Sequence, residues 1–567
     1  MKKLRPRSAV ENPIAAYGLL AVAVVASVQI YFSLQLGGYF IEQWAWGAAA
    51  IAAALVGAAL IRRYFSTASL GRWQWALVGA LVALVVIVTA SISWSIAPEL
   101  SFHEASRTAM YAGTFVLLLP AVAYWDSLVV DLTLFGALLP PAIYGLLQKI
   151  LPTGETFAFS VKYTGFGTLL TDPKVSSTVG YHPAFGMMCA MGALLAISRV
   201  GAFRSLRSIP LRSLYCATGT VFLVALYFSF SRGAVLALAA GAMVFLVLSE
   251  HRFEALGNAA VSGLPALWVI SQARELSGLV SRPVSLQAVK SDGLALVEPL
   301  LKGLLLAFAA QLLFSLLIFA VTQFVPEGVR RGVGLVATVI TACAVVVALS
   351  YAAATFQKAG GVVELRERIT ADPSELESRA QQADQTQRLT SVSAATRIVL
   401  WKIAWENFRE HPLTGTGGDT YQLIYEQNRP ANSESALHPH SVWLSLLSDT
   451  GIFSFVAFAA FSVGCLCLAF YNALSTTRTT RSRALLAGSA AAVTAYLASS
   501  TIDWNWYIPA STLPFFALAA VAAGTTPRRR ERNHNGAENA GRRSGPNKIG
   551  SNARRSRFGF TRSDSLR

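Results

Sequence analysis

Two histidines, His438 and His440, flank Pro439 where a long polar stretch runs into the apolar run that starts near Val442. An imidazole titrates near neutral pH, so a ring held at such a boundary is a natural proton acceptor. Capping or a plain surface role is the structural alternative for His440, and His438 is either a rival base or the capping partner. Arg232 stands at the end of Tyr227-Phe228-Ser229-Phe230-Ser231, directly before another apolar run. A cation there must reach water, a partner or an anionic ligand, or it snorkels and marks an interface. Arg397 opens a charged amphipathic stretch with Trp401 one turn later; the alternatives are a solvated helix-start charge and an anchoring ring. His411-Pro412 ends that stretch, and Gly415-Thr416-Gly417-Gly418 makes a turn of a kind that more often touches no phosphate than cradles one. His182, in Gly180-Tyr181-His182-Pro183, opens a further apolar run. Asp503-Trp504-Asn505-Trp506-Tyr507 sets a carboxylate among three aromatics, suited to stacking on a sugar and bonding its hydroxyls, or to an aromatic belt.

The elements that position these residues are set by composition. The chain has 567 residues, 54% hydrophobic and 14% charged, against about 25% charged in soluble domains. Repeated apolar runs of about 20 residues, without the ten-residue alternation of a β-barrel, predict an all-α integral membrane protein. The net charge of +17 is uneven, with 12 Lys and Arg against 3 Asp and Glu in residues 528–567. Such a tail marks the cytoplasmic side and the anionic leaflet, and with few aromatics and no motif it argues against nucleic acid. Cys189, Cys216, Cys343, Cys465 and Cys467 all sit in apolar runs without metal spacing, as small packing residues.

Lys2, Lys3, Arg5 and Arg7 put the N-terminus inside, and the first apolar run is too long for a cleavable signal. Runs follow near 14–36, 42–61, 73–96, 106–125 and 127–147, with Arg62-Arg63 inside and an outer segment over 148–181. Further runs lie at 182–198, 213–230, 233–249, 296–323, 333–352, 441–472, 484–502 and 510–525. The weakly apolar 255–273 is counted because parity then places Arg330-Arg331 and the tail on one side, giving fourteen spans with about twelve as the fallback. The expected fold is a polytopic bundle of about 12–14 transmembrane helices with a large extracytoplasmic helical loop. Its parts are residues 1–352 with about eleven spans, the loop 353–440, the spans of 441–526 and a basic disordered cytoplasmic tail, 527–567. Within the loop, 361–396 reads as a polar helix. Residues 397–410 read as a helix in the membrane interface, with Ile398, Trp401, Trp405 and Phe408 on one stripe.

In order along this frame stand Ser93-Trp94-Ser95, Ser231-Arg232-Gly233-Ala234, Arg397-x-x-x-Trp401, His411-Pro412-Leu413-x-Gly415-x-Gly417, and His440-Ser441 with Gly451 ten residues later. The set resembles the O-antigen ligase/polymerase superfamily, over residues of about 90 to 510. It departs at Ser454, where the ligase signature usually has Gly, Thr or Tyr, and at Tyr181-His182-Pro183, where relatives often have asparagines. The resemblance implies an inverting, metal-independent glycosyltransferase of the bacterial cytoplasmic membrane that needs no cofactor. The donor would be an undecaprenyl-diphosphate-linked glycan and the acceptor a hydroxyl on a glycan, lipid or protein, in cell-surface polysaccharide synthesis. His440 would orient or deprotonate that hydroxyl while Arg232 and Arg397 hold the diphosphate, with Trp401, Gly415, Gly417, His438, His182, Asp503 and Trp504 around the substrate. The absence of Asp-x-Asp from the outer loops agrees with arginines as the neutralising charges.

A transporter or flippase is the alternative from another class. Transporters keep coupling carboxylates or broken helices in the membrane. These runs show few acids, Asp131 being the main one, and no internal repeat.

Overall fold

The computed structural model describes residues 13–61, 64–65, 70–151, 174–203, 205–280, 286–326, 328–329, 332, 336, 395–430, 435–474 and 479–524. Outside them lie Met1–Arg7, Arg62-Arg63, residues 152–173 of the outer segment, Arg330-Arg331, Cys343, all but Val336 of the run 333–352, the polar stretch through 394, and the basic tail. The chain divides into two units, Met1–Thr526 and Pro527–Arg567, and the second falls wholly outside the described residues.

The described residues are helical with no strand. In order they form α1 (Pro13–Leu34), α2 (Ile41–Leu60), α3 (Arg72–Ala90), α4 (Pro98–Leu132), α5 (Leu139–Ile150), α6 (His182–Ala202), α7 (Ile209–Phe228) and α8 (Arg232–Leu248). Then come α9 (Arg252–Glu275), α10 (Leu286–Phe324), α11 (Ala395–Glu410), α12 (Tyr421–Asn428), α13 (Val442–Leu474), α14 (Thr480–Ser500) and α15 (Pro509–Gly524). Among the described residues, nine helices are long and apolar enough to cross a membrane, and α8 and α15 are shorter apolar helices. The protein is an all-α polytopic membrane protein, and the weakly apolar run at 255–273 is one of its nine long helices.

Each expected apolar run within the described residues coincides with a helix. The runs 106–125 and 127–147 are split by a break at Trp125 (φ −127°, ψ 23°). The chain doubles back there. Trp125 Nε1 donates to Ala15 O (2.8 Å) near the start of α1, whereas Thr133 Oγ1 donates to Gln29 Oε1 (3.1 Å) towards its end. Residues Thr133–Leu138 then form a π-helical turn just before Pro140-Pro141, whose missing N–H groups cannot continue the regular ladder.

At the centre, α6 is packed by α7, α8 and α14, and α15 lies along α4. The most apolar window of α6 is 94% buried. Small residues allow this close approach, as expected where helices associate in lipid by packing rather than by leaving water. A Cβ on Gly488 of α14 would stand 2.0 Å from Ser198 Oγ of α6, and one on Gly192 would stand 2.4 Å from the Phe222 ring. By contrast α10 buries only 17% of its window, leaving Leu294, Leu301, Leu305, Leu313 and Leu317 exposed. That surface suits hydrocarbon.

The bundle has two chemically distinct ends. At one, Gln74 Nε2 donates to Ala523 O (3.0 Å) and Asn472 Nδ2 to Ala522 O (3.2 Å), so the starts of α1 and α3 and the ends of α13 and α15 gather together. The half-buried ion pair Arg199–Asp131 (2.6 Å) and the buried pair Arg212–Glu254 (2.8 Å) hold this end. At the other end lie the starts of α4, α6, α8 and α13, with α11 and the loop 501–508 between α14 and α15.

One expectation is corrected. The helices carry more acid than the apolar runs suggested: Glu104, Glu254 and Asp449 are all buried in helices. Glu104 escaped because α4 begins at Pro98, eight residues before the apolar run, with proline at its first turn. In α11 the packed side is largely distinct from the tryptophans. Its buried side is Ile398, Val399, Leu400, Ile403, Ala404 and Asn407, which pack with Tyr421 and Tyr425 in a small core of their own. Trp401 is half-buried, Trp405 is exposed and touches Phe408 (5.2 Å), so the tryptophans flank the packed face.

Candidate active site

His440 is placed by its neighbours on both sides. Pro439 fixes the backbone before it, and His440 itself takes a left-handed conformation (φ +54°), uncommon for a residue with a side chain and costing about 1–2 kcal/mol. Ser441 then takes the cap of α13, its hydroxyl facing the Leu444 N–H at 3.5 Å. Capping therefore falls to the serine, and the histidine ring is turned aside with about a quarter of its surface exposed.

The ring faces Asp503. This carboxylate sits in the loop between α14 and α15, only 2% exposed, and donors reach it from four elements. Its Oδ2 accepts from Arg397 Nη2 (3.3 Å), and its Oδ1 accepts from the Tyr181 hydroxyl and from the Trp504 N–H (3.1 Å). His440 Nδ1 stands 3.5 Å from Oδ1, a long contact rather than a formed hydrogen bond. Burial pushes the Asp503 carboxyl up, but His440, Arg397 and Tyr181 outweigh it and hold the group below its ordinary range. Asp503 is thus an ionised hub. Arg397 lies in the first turn of α11, where the helix dipole disfavours a cation, and Asp503 supplies the compensating charge.

Trp504 is a platform beside the hub, with ring centres 4.4 Å from Tyr181, 5.1 Å from His438 and 6.2 Å from His440. His182 adjoins through Tyr181, and its Nδ1 donates to Ser229 O (3.1 Å). Arg232 begins α8, with Ser231 as cap accepting from the Ala234 N–H (3.2 Å). A Cβ on Gly233 would meet Ile502 at 3.1 Å, which sets the Arg232 end of α8 against the residue preceding Asp503. Trp401, one turn along from Arg397, has a buried indole N–H without a partner among the described residues.

Beneath this layer lies a second one that sequence reading missed. His438 is stacked on Tyr507 (3.5 Å between ring centres) and its Nδ1 is 3.7 Å from Asp419. Burial, then Arg107 and His440, pull the His438 ring below its ordinary range, so it is neutral. Arg107 pairs with Glu104 and with Asp419 (3.4 Å) and lies 4.7 Å over the Tyr507 ring. Glu104 also accepts from Trp506 Nε1 (2.7 Å). Burial raises the Asp419 carboxyl to about 7, with Arg107 opposing and Glu104 adding to the rise. Glu104, Asp419 and Asp449 line a small cavity of about 10 Å³, room for one water at most. The readable signal was Glu104 and Arg107 three residues apart on one helix, a spacing that forms ion pairs.

Gly415 and Gly417 do not offer amides to a ligand. The Gly415 N–H donates to His411 O (2.9 Å) and the Gly417 N–H to Asp449 O (2.8 Å), while Ile452 N–H donates to Pro412 O (2.9 Å). The Gly418 N–H goes to Ser91 Oγ (3.2 Å). The turn docks into a break in α13 at Gly451 (φ +77°, ψ −173°). On its other side Trp94 Nε1 donates to Thr414 O (3.1 Å) and Ile96 N–H to Thr416 O (3.0 Å). Both glycines have positive φ, +61° and +115°, and a Cβ on either would collide with Asp449 or Ser95. They are structural.

The geometry thus gathers His440, Arg397, Asp503, Trp504 and His438 into one site, sets His182 and Arg232 at its edge, and leaves the glycines as support. No curated protein matches the chain. Residues 294–459 match the O-antigen ligase family model, a segment holding Arg397, Trp401, Gly415, Gly417, His438 and His440 but neither Arg232 nor Asp503. That match supports placing this all-α polytopic membrane chain in the O-antigen ligase superfamily.

Proposed function

We propose that this protein is an inverting membrane glycosyltransferase that moves a glycan from undecaprenyl diphosphate to an acceptor hydroxyl at the outer face of the bacterial cytoplasmic membrane. The observation that carries the reading is the convergence of Tyr181, Arg397 and His440 on the buried carboxylate Asp503. Facing an ionised carboxylate, His440 carries its proton on Nδ1 and presents Nε2 as the acceptor. The acceptor hydroxyl gives its proton to Nε2 as its oxygen bonds to the anomeric carbon, and the bond from that carbon to the diphosphate oxygen breaks. Arg397 and Arg232 take up the charge on the departing lipid diphosphate. Asp503, expected from sequence to bond sugar hydroxyls, is assigned instead to orienting His440, because its oxygens are already occupied inside the protein. Trp504 provides the stacking surface, and Trp401 has an indole N–H to give. The site end of the bundle is the outer face in this reading, with both ends of the chain cytoplasmic.

One observation favours transport: α13 is broken at Gly451 beside the buried carboxylates Glu104 and Asp449 and the half-buried Asp419, a feature of helices that bind coupling ions. Here the break's backbone groups are consumed by the 411–418 turn, which explains the break without an ion. The two readings separate in purified protein reconstituted with a lipid-linked glycan and an acceptor. Transferase activity releases one lipid diphosphate per glycan joined, and a size ladder of products distinguishes polymerisation from ligation. Movement of lipid-linked glycan across the bilayer with no transfer would establish the transporter.

A further inference from the structure

Asp503 Oδ1 is oversubscribed. A carboxylate oxygen has about two lone-pair sites, and two donors already fill them: the Tyr181 hydroxyl and the Trp504 N–H at 3.1 Å. His440 Nδ1 is the third, left at 3.5 Å. The other oxygen is turned to Arg397. The imidazole therefore receives less of the carboxylate than it would from an Asp bonded to it alone.

Tyr181 is well fixed in this role. It precedes α6, and its ring packs 4.4 Å from Trp504 and 5.8 Å from His182. His182 is in turn tied to Ser229 O (3.1 Å). Burial, then the Asp503 charge, push the phenol well above its ordinary range, so it stays protonated and donates throughout. Among the described residues, the charged and titratable groups facing His440 are Asp503, with Tyr181 and Arg397 from α11 bonded to it, and neutral His438 on its own loop.

We propose that Tyr181 is a positioning residue that competes with His440 for Asp503 Oδ1 and so holds down the proton affinity of the catalytic ring. The consequence is a base that is neutral, and ready to accept a proton, further into the acid range than a ring fully bonded to a buried carboxylate. It also releases the proton more readily after each transfer. The inference rests on His440 being the base in the transfer reaction proposed above.

The test is the pH dependence of glycan transfer, with the proton state of the ring read separately by carbethoxylation of His440 at a series of pH values, followed by peptide mass. In Tyr181→Phe the hydroxyl is gone, Oδ1 opens to His440, and both midpoints should move up by about one pH unit. Replacing Tyr181 with a ring-fluorinated tyrosine, a stronger donor of the same shape, should move both midpoints down, and this arm stands even if Tyr181→Phe fails to fold. Midpoints that stay put in both variants, or that move in the opposite directions, overturn the inference. If instead the carbethoxylation midpoints move as stated but His440→Ala transfers at the wild-type rate, the ring is not the base and the transfer reading fails while the competition at Asp503 stands.

Discussion

Gly415→Ala tests whether the glycine turn is a strut or a cradle. Gly415 sits at φ +61°, and an added Cβ would come within 2.2 Å of both Asp449 C and Asp449 O and within 2.5 Å of Thr450 N. The left-handed backbone costs a residue with a side chain about 1–2 kcal/mol. Overpacking adds about 1–3 kcal/mol, at the upper end here because the obstructing atoms are helix backbone that cannot rotate away. The sum is about 2–5 kcal/mol. Relief by lifting the turn would break Gly417 N–H to Asp449 O and Ile452 N–H to Pro412 O, leaving the gap at Gly451 unfilled. Detergent-purified Gly415→Ala should melt well below wild type. Gly79→Ala, where no atom lies within 4 Å of the new Cβ, should match wild type. If Gly415→Ala melts like wild type yet loses donor binding, the turn touches the diphosphate directly and the structural assignment is refuted.

Two further outcomes follow from the same contacts. His438→Phe keeps the stack on Tyr507 and removes a titrating ring, so transfer should stay within a few-fold of wild type. Its stability should also change with pH: His438 is held below its unfolded value of about 6.5, so the wild type loses stability as pH falls below that value and the variant does not. Melting curves from about pH 7.5 to about pH 5 read this, and equal acid lability of the two proteins would contradict it. Arg212→Ala removes the 2.8 Å partner of buried Glu254 at the far end of the bundle and should lower the melting temperature. Transfer per folded molecule should be unchanged, and a specific loss would mean that end takes part in the reaction.

Hydropathy made the spans legible, because a helix in lipid must be apolar along its whole length whatever it packs against. It even resolved the turn at Trp125, where an aspartate follows, and α9, where parity supported a weak run. The site was legible as residue types, not as contacts. His440 and Arg397 could be picked out because a cation or titratable ring beside an apolar run demands a reason, and Trp504 because it stands in a cluster of aromatics around a carboxylate. Asp503 was noticed but given to the sugar, since nothing local says that its oxygens are filled by Tyr181 and Arg397, which lie more than a hundred residues away. Gly415 and Gly417 were set around the substrate by the resemblance alone, because sequence reports the permissive backbone and not the helix break it fills. Arg107 and Asp419 were passed over for the same reason: their meaning is the ion pair, and the partner is three hundred residues distant.

The most direct measurement is glycan transfer in membranes expressing wild type or His440→Ala at equal protein level, with product and lipid-linked glycan followed together. If His440 is the base, product falls by about 10²–10⁴ while the lipid-linked donor accumulates. Full transfer by His440→Ala would contradict the account.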